Sequence, residues 1–340
     1  MRFTIDLDLG DLRERLLRTR WPDQADAGLQ EVVRYWAGGF DWPAQQARLN
    51  RLEHHIVDGI HFVHAKGGAN AIPLMLIHGW PGSFVEFVDI IPLLQGPFEL
   101  IIPSLPGYGF STKPSQPGMS NARIAELFLQ LMTHLGHERF VAQGGDWGAG
   151  VTTWMAVKAP QRLSAIHLNY IPGSYAPPIG APLTAEEEQF LEDKARWGEE
   201  HGAYGHVQRT RPLTLAYGLN DSPAALAAWI LEKFREWADP ASKLSIDHLL
   251  TNITIYWATE TIHSSVCLYR ESATTPLRNV RMQVPTAVAH FPLEAPFPPR
   301  SYIERGYDLR RFTEQPAGGH FAALEQPELL AKDIREFLGV

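Results

Sequence analysis

From residue 73 onward, many apolar residues fall into short continuous runs, and longer stretches with helical spacing separate several of these runs. The runs cover residues 73–78, 100–103, 140–143, 165–169 and 284–290, and the helical stretches cover residues 84–94, 121–135 and 151–158. A strand buried on both faces needs apolar residues at successive positions, so the runs predict strands of a parallel sheet. Strands alternating with helices predict an α/β fold whose mostly parallel sheet is flanked by helices. An apolar stripe over residues 328–338 predicts a closing helix.

The first part of the chain has a different pattern. Apolar stripes at helical spacing lie within residues 12–36, and Trp-Pro pairs interrupt them. Two short strand candidates at residues 54–57 and 60–65 then flank Asp58-Gly59, a pair typical of a type I′ hairpin turn. Residues 1–65 are therefore predicted to form an N-terminal helical meander and a first hairpin.

Between about residues 172 and 262 helical signals replace the strand pattern. Thr184 and Glu187 have the spacing of a capping box, and Ser222 precedes a proline as an N-cap does. Residues 245–261 give a third helix. An all-helical insertion in an open α/β sheet is expected to cover the carboxyl edge of the strands, where ligands bind. We interpret it as a lid over residues 173–265, inserted between two parts of the core at residues 66–172 and 266–340; a purely structural extension is the alternative.

The most informative segment is Gln143-Gly144-Gly145-Asp146-Trp147-Gly148-Ala149-Gly150, which joins a predicted strand to a predicted helix. A strand, Gly-x-nucleophile-x-Gly and a helix form a nucleophile elbow, in which glycines permit a tight turn that holds the central side chain out of the sheet. The central residue here is Asp146. A carboxylate nucleophile forms an ester with the carbon it attacks, which favours hydrolysis of an epoxide or a carbon–halogen bond. The alternative is an ordinary glycine-rich turn whose aspartate caps the helix.

Three further positions fit the chemistry of such a nucleophile. Trp80, in the turn after the strand at residues 73–78, and Trp147 offer backbone N–H groups that could form an oxyanion hole. His320, on a loop before the last helix, is the candidate base because the expected chain order is nucleophile, acid, histidine. For Trp80 the alternative is a simple Pro-Gly turn, and for His320 it is a structural histidine.

The acid that orients His320 is predicted to be Glu294, because it lies just beyond the strand at residues 284–290. Its rivals are Glu304, Asp308 and Glu314. Opening of an epoxide ring also needs a proton donor near the leaving oxygen. The candidates in the lid are Tyr204, Tyr217, Tyr256 and Tyr269, and composition does not choose among them.

Composition narrows the classes of function. The 340 residues have a net charge of −8 and no long run of Lys or Arg, which argues against nucleic acid or an anionic membrane as a partner. The single cysteine, Cys267, excludes an intrachain disulfide and favours a reducing, cytoplasmic setting. The sequence contains no signal peptide, membrane-length apolar segment or zinc-like histidine pattern. We expect no metal, no organic cofactor and a small-molecule substrate, and we leave self-association open.

Together these residues resemble the epoxide hydrolases of the α/β-hydrolase superfamily, specifically the microsomal-type branch. The resemblance covers nearly the whole chain, and its motifs are Tyr35-Trp36, Phe40-Asp41-Trp42, His78-Gly79-Trp80-Pro81-Gly82-Ser83, Pro103-Ser104-Leu105-Pro106-Gly107-Tyr108-Gly109-Phe110-Ser111, Gly144-Gly145-Asp146-Trp147-Gly148, Leu219-Asn220-Asp221-Ser222-Pro223, Tyr269, Phe291-Pro292-Leu293-Glu294 and Gly318-Gly319-His320-Phe321-Ala322-Ala323. It implies an α/β-hydrolase fold with a helical lid and an N-terminal meander, and an enzyme that converts an epoxide and water to a vicinal diol.

The resemblance also implies roles for the matching positions. Asp146 matches the nucleophile, His320 the base and Glu294 the acid. Tyr269 and, in a looser local match, Tyr204 correspond to the tyrosines that polarise the epoxide oxygen, and Trp80 corresponds to the oxyanion-hole position. The N-terminal membrane anchor of some members has no counterpart, which implies a soluble enzyme. The N-terminal segment is also short around residues 23–28, which affects its packing rather than the chemistry.

Two other interpretations stay open on the sequence. A haloalkane-type dehalogenase shares the Asp-Trp elbow and the histidine, and it needs halide-binding N–H donors in place of the tyrosine pair. A catalytically inactive family member could act as a binding module, although intact Asp146, His320 and Glu294 argue against this. Halide release instead of diol formation would indicate the first, and turnover of any simple epoxide would exclude the second.

Overall fold

A mixed sheet of nine strands lies at the centre of the computed structural model, which describes residues 1–178 and 180–340. The strands are β1 (Arg2–Phe3), β2 (His54–Val57), β3 (Ile60–Ala65), β4 (Ile72–Ile77), β5 (Phe98–Pro103), β6 (Phe140–Gly144), β7 (Leu163–Leu168), β8 (Pro285–His290) and β9 (Asp308–Glu314). They lie in the order β1-β2-β3-β5-β4-β6-β7-β8-β9. The first three are antiparallel to their neighbours, and the strands from β4 to β9 run parallel. The predicted mostly parallel sheet is confirmed.

Helices precede the sheet, cover its faces and form one long insertion. They are α1 (Leu12–Leu17), α2 (Ala27–Gly38), α3 (Trp42–Leu49), α4 (Ile91–Leu94), α5 (Asn121–His134), α6 (Asp146–Lys158), α7 (Ala185–Glu200), α8 (Ala203–Thr210), α9 (Pro212–Asp221), α10 (Pro223–Trp237), α11 (Ile246–Ala258), α12 (Ile262–Ser272), α13 (Arg300–Glu304), α14 (Ala322–Glu325) and α15 (Pro327–Leu338). The six helices from α7 to α12 form the predicted helical insertion between β7 and β8. The last of these helices, α12, runs past residue 265, the predicted end of the lid. The division of the chain into four segments stays a prediction.

Local signals in the sequence correspond to the observed turns and caps. Asp58 and Gly59 both have positive φ angles, 48° and 78°, as a type I′ hairpin turn requires. Thr184 and Glu187 form the capping box of α7 through bonds in both directions. Ser222 caps α10 by accepting a hydrogen bond from a backbone N–H in its first turn. These predictions are confirmed.

Two elements differ from the sequence-based prediction. The predicted helix over residues 84–94 is wrong: a 3₁₀ turn at Phe84–Phe87 is followed by the separate, four-residue α4. Pro92 occupies the first turn of α4, where its missing N–H costs nothing, whereas in a continuous helix it would remove a hydrogen bond. The edge strand β9 was not predicted, because its charged residues hide the alternating pattern of a half-exposed strand.

Packing on both faces of the sheet explains the apolar strands and holds the lid. Alternate residues of β4 enter two separate cores, Leu74 on one side and Met75 on the other. The N-terminal meander contacts the insertion, because the Trp36 indole N–H on α2 donates to Thr254 on α11 at 3.0 Å. None of the helices in the described residues has the length and apolar character to cross a membrane.

Candidate active site

Asp146 stands at the junction of β6 and α6, in a turn that depends on glycine. β6 ends at Gly144 and α6 begins with Asp146, whose φ angle of 45° is left-handed. A Cβ on Gly148 would lie 1.9 Å from the carbonyl oxygen of Ile77 on β4, and one on Gly144 would meet the Gly148 backbone at 2.4 Å. The glycines therefore let the turn pack closely against β4, and the predicted strand–elbow–helix geometry is confirmed.

Two backbone N–H groups stabilise the Asp146 carboxylate. The N–H of Trp80 donates to Oδ1 at 2.7 Å, and the N–H of Trp147 lies close enough to help lower the pKa of the carboxyl group. Glycine is needed at position 79 because a Cβ there would lie 2.2 Å from the same oxygen. Burial raises the pKa of Asp146, while the charge of His320 and the two N–H donors lower it. Both predicted oxyanion-hole donors therefore act on the Asp146 carboxyl group.

His320 lies between Asp146 and Glu294. Its Nδ1–H donates to Glu294 Oε2 at 2.7 Å, and its Nε2 lies 3.7 Å from Asp146 Oδ2. Burial lowers the pKa of the imidazole, but the charge and hydrogen bond of Glu294, with the charge of Asp146, outweigh it and raise the pKa to about 9. The imidazole is therefore cationic at neutral pH, and its charge favours the ionised form of Asp146.

The three rival acids are directed elsewhere. Glu304 and Asp308 each pair with an arginine on their own segment. Glu314 is exposed at the end of β9. Glu294, from the loop after β8, is the acid in contact with His320.

Two helices of the insertion bring Tyr204 and Tyr269 together. Their ring centroids are 5.9 Å apart, with an interplanar angle of 81°. Tyr204 stacks on the ring of Trp80 at 5.8 Å, and Tyr269 meets the ring of Trp147 edge-on at 4.7 Å. Burial and the charge of Asp146 raise the pKa of both phenols, so both keep their protons at neutral pH and can donate them in hydrogen bonds.

The other two tyrosine candidates are placed differently. Tyr217 is 72% exposed, and the hydroxyl of Tyr256 donates to the carbonyl oxygen of Gly82 at 2.8 Å. Of the four tyrosines that the sequence left open, Tyr204 and Tyr269 are the two that line a cavity together with Asp146.

Comparison with known proteins assigns the family. Residues 3–87 match the model described as Epoxide hydrolase N terminus, and residues 72–248 match the alpha/beta hydrolase fold. A candidate epoxide hydrolase of Stigmatella aurantiaca is 42% identical over 96% of this chain and 81% of its own length. Epoxide hydrolase 1 of Sus scrofa is 36% identical over 99% of this chain and 87% of its own. The chain belongs to the epoxide hydrolase family.

A solved structure of the family has the same architecture. Aspergillus niger epoxide hydrolase, 31% identical, superposes with a TM-score of 0.89 over 99% of this chain and 95% of its own. The α/β-hydrolase fold implied by the sequence motifs is therefore confirmed. The protein is an enzyme of the class that hydrolyses the ether bond of an epoxide.

One partly buried carboxyl group of this epoxide hydrolase was not foreseen from the sequence. Glu86 lines a cavity of about 20 Å³ together with Asp146 and His320, which is room for about one water molecule. Burial raises the pKa of Glu86 to about 8, against the lowering effect of the His320 charge and with a further rise from Asp146. Glu86 lies in the 3₁₀ turn at Phe84–Phe87, where the sequence predicted a longer helix.

Two larger cavities of the epoxide hydrolase meet at Asp146 and Tyr204. One, of about 460 Å³, has an apolar lining that includes Phe190 and Tyr302. The other, of about 550 Å³, adjoins Tyr269. A surface groove of about 900 Å³ is larger but contains none of the predicted site residues. In the described residues no cluster of three or more His, Cys, Asp or Glu side chains is suited to a metal ion.

Proposed function

We propose that this enzyme hydrolyses apolar epoxides to vicinal diols through an ester between the substrate and Asp146. The observation that carries the proposal is the placement of the Asp146 carboxylate and the Tyr204–Tyr269 pair around one cavity, with His320 beside the carboxylate. The core offers a nucleophile and the lid offers proton donors, which are the two groups that ring opening requires.

In the first step Asp146 Oδ2 attacks an epoxide carbon and the bond from that carbon to the ring oxygen breaks. Oδ2 is the attacking atom because Oδ1 is already held by the N–H of Trp80. Tyr204 and Tyr269 donate hydrogen bonds to the ring oxygen, and one of them gives its proton to the developing alkoxide. The products of this step are the ester and one tyrosinate.

In the second step His320 Nε2 takes a proton from water, and the resulting hydroxide attacks Cγ of Asp146. The negative charge moves to Oδ1, where the N–H groups of Trp80 and Trp147 stabilise it, a contribution of about 3 kcal/mol for one such donor. The ester C–O bond then breaks, and the departing alkoxide takes the proton from His320 to complete the diol. The Asp146 carboxyl group still carries the proton of the attacking hydroxide and passes it to His320, which restores the resting carboxylate and imidazolium. Glu294 stabilises the imidazolium during this step.

The protons balance over the cycle because the resting imidazole is charged. Ring opening removes the negative charge of Asp146, which lowers the pKa of His320 from its resting value of about 9. At the same moment a tyrosinate needs a proton. Transfer of the imidazole proton to that tyrosinate through solvent leaves His320 neutral and ready to act as the base.

The lining of the two cavities supports an apolar substrate. Phe190, Trp197 and Tyr302 contribute aromatic surface to the cavity of about 460 Å³, which has room for an apolar substituent on the epoxide. The cavity of about 550 Å³ on the other side of Tyr204 could take a second substituent.

A single turnover in ¹⁸O-labelled water tests the ester mechanism. With enzyme in excess over styrene oxide, the first diol should contain oxygen from Asp146 and no label, because water enters at the carboxyl carbon. Asp146→Ala should leave background activity, and His320→Gln should accumulate a protein adduct of the mass of the substrate. A fully labelled first diol would exclude the two-step mechanism.

The dehalogenase alternative is tested with haloalkanes in the same assay, by halide release. The presence of the tyrosine pair at the cavity favours an epoxide as substrate. A cytoplasmic location, which rests on the single Cys267, and self-association both stay predictions.

A further inference from the structure

Lys233 on α10 is a buried cation to which the mechanism above assigns no role. Its side chain is 4% exposed. Its Nζ lies 4.7 Å from the ring centroid of Tyr204 and 5.6 Å from that of Trp237. Removing an ammonium group from water is costly unless it gains strong partners, so its place against these rings calls for a functional explanation.

The carboxylate partners of this lysine lie toward solvent. Nζ pairs with Glu232 at 2.5 Å and with Glu236 at 3.0 Å, and those side chains are 52% and 42% exposed. Solvent screens the two carboxylates, whereas the ammonium is enclosed. The positive charge therefore acts on the Tyr204 ring more strongly than a fully neutralised ion pair would.

A cation over an aromatic ring is attracted by the electron density of its face, and the attraction is larger when the pair is away from water. That density increases when Tyr204 begins to give its proton to the epoxide oxygen and negative charge spreads into the ring. The attraction to Lys233 is thus greater in the transition state of ring opening than in the resting enzyme, which is the condition for acceleration.

The surrounding rings keep this geometry in place. Tyr204 packs against Trp237 at 5.1 Å and stacks on Trp80 at 5.8 Å with an interplanar angle of 11°. Trp237 in turn contacts the ring of His320 at 5.2 Å. These contacts hold the Tyr204 ring in place beside Lys233.

We propose that Lys233 is a positioning residue for epoxide ring opening, acting through Tyr204 by stabilising the negative charge that this tyrosine acquires. The inference rests on the proposed role of Tyr204 as a proton donor. It assigns Lys233 to the first chemical step and gives it no part in hydrolysis of the ester.

Transient kinetics with styrene oxide test the assignment. Lys233→Met should slow formation of the Asp146 ester about ten-fold, which corresponds to about 1.4 kcal/mol, and should leave ester hydrolysis unchanged. Lys233→Arg should keep most of the wild-type rate, because a guanidinium also binds an aromatic face. Equal slowing of both steps, or no rescue by arginine, would overturn the proposal.

A double-mutant cycle separates this inference from the role of Tyr204 itself. In a Tyr204→Phe background, Lys233→Met should have little further effect on ester formation, because no hydroxyl is left to acidify. An undiminished ten-fold effect there would show that Lys233 acts by another route. A normal rate for Tyr204→Phe alone would instead remove the proposed role of Tyr204.

Two further variants control for structural damage. Lys158 lies 5.7 Å from the Trp154 ring and pairs with Glu126, so Lys158→Met removes a similar contact far from the site and should leave both steps unchanged. Glu236→Gln keeps the ammonium and removes a half-exposed carboxylate, and it should speed ester formation about two-fold. If Lys233→Met does not fold, Glu236→Gln tests the proposal instead. An unchanged or slower rate of ester formation in Glu236→Gln would then contradict the proposal.

Discussion

At the scale of single residues, Glu294 controls the charge of His320. Burial lowers the pKa of His320, but Glu294 and Asp146 raise it to about 9 in the resting enzyme. Hydrolysis of the ester needs a neutral base, so it is lost as the pH falls below the pKa that His320 has in the ester, which lies below the resting value because Asp146 has lost its charge. Glu294→Gln removes one negative charge and should move the pH profile of hydrolysis to lower pH by one unit or more, with a lower maximal rate. Single-turnover hydrolysis measured across pH checks this, and an unmoved midpoint would show that another group holds the imidazole.

The two tyrosines belong to the other step. Tyr204→Phe and Tyr269→Phe should each slow ester formation by about 10²-fold, the effect of one positioned acid, and loss of both should cost far more. Hydrolysis of the ester should hardly change. Tyr217→Phe is the matched control, because that side chain is 72% exposed, and it should behave as wild type. Rapid-quench measurement of the ester resolves the steps, and a normal rate for Tyr204→Phe would exclude that residue.

What could be predicted about the site depended on how local each signal was. The position of Asp146 follows from its own glycines, and the proximity of Trp80 and His320 follows from their places after strands of one sheet. Glu86 and Lys233 could not be found in this way. Their surroundings are created by an unexpected 3₁₀ turn and by lid packing, and neither leaves a pattern in the neighbouring sequence.

At the scale of elements, the elbow depends on the approach of α6 to β4. Gly148→Ala would place a Cβ 1.9 Å from the carbonyl oxygen of Ile77, so the helix and strand must separate. We expect a loss of about 3 kcal/mol or more of folding free energy, together with most of the activity. Gly218→Ala, in helix α9 with open space around its Cβ, should be neutral or stabilise by up to about 1 kcal/mol. Chemical unfolding of both variants makes the comparison, and equal stability would contradict it.

The same scale explains which elements the sequence predicted well. The buried strands from β4 to β8 are apolar because alternate side chains enter two cores, so their pattern is strong. β9 lies at the edge of the sheet and needs only a partial apolar face. Its arginines are therefore typical of an exposed surface segment, and the strand was not predicted. In the segment before β5, Pro92 favours a 3₁₀ turn followed by the short helix α4 over one continuous helix.

At the scale of the whole molecule, buried histidines make the fold sensitive to acid. His54 and His61 form a buried chain, with Nδ1 of His54 3.0 Å from Nε2 of His61 and Nδ1 of His61 2.9 Å from the Ser104 hydroxyl. Burial lowers the pKa of both imidazoles. They join the first hairpin to the loop after β5, so protonation acts on contacts between distant parts of the chain.

His78 gives the sharpest test of this sensitivity. Its Nδ1–H donates to the Gly79 carbonyl oxygen at 2.9 Å, and its Nε2 accepts from the Leu105 N–H at 3.1 Å, so the ring has no site for a second proton. Burial lowers its pKa from 6.5 to about 4. The unfolded chain binds this proton below about pH 6.5 and the folded chain does not until about pH 4. The contribution of His78 to stability is therefore present above pH 6.5 and lost as the pH falls toward 4, a change of about 3 kcal/mol.

Urea unfolding at a series of pH values should reveal this contribution. His78→Gln should be less stable than wild type at pH 7, because glutamine cannot reproduce both hydrogen bonds in the same geometry, yet it should lose less stability between pH 6.5 and pH 4. His134→Gln, at an exposed position on α5, should keep the wild-type slope. The difference in slope isolates one buried imidazole from the carboxyl groups that titrate in the same range. If the free energy of unfolding falls with pH equally in wild type and His78→Gln, then protonation of His78 does not destabilise the folded state.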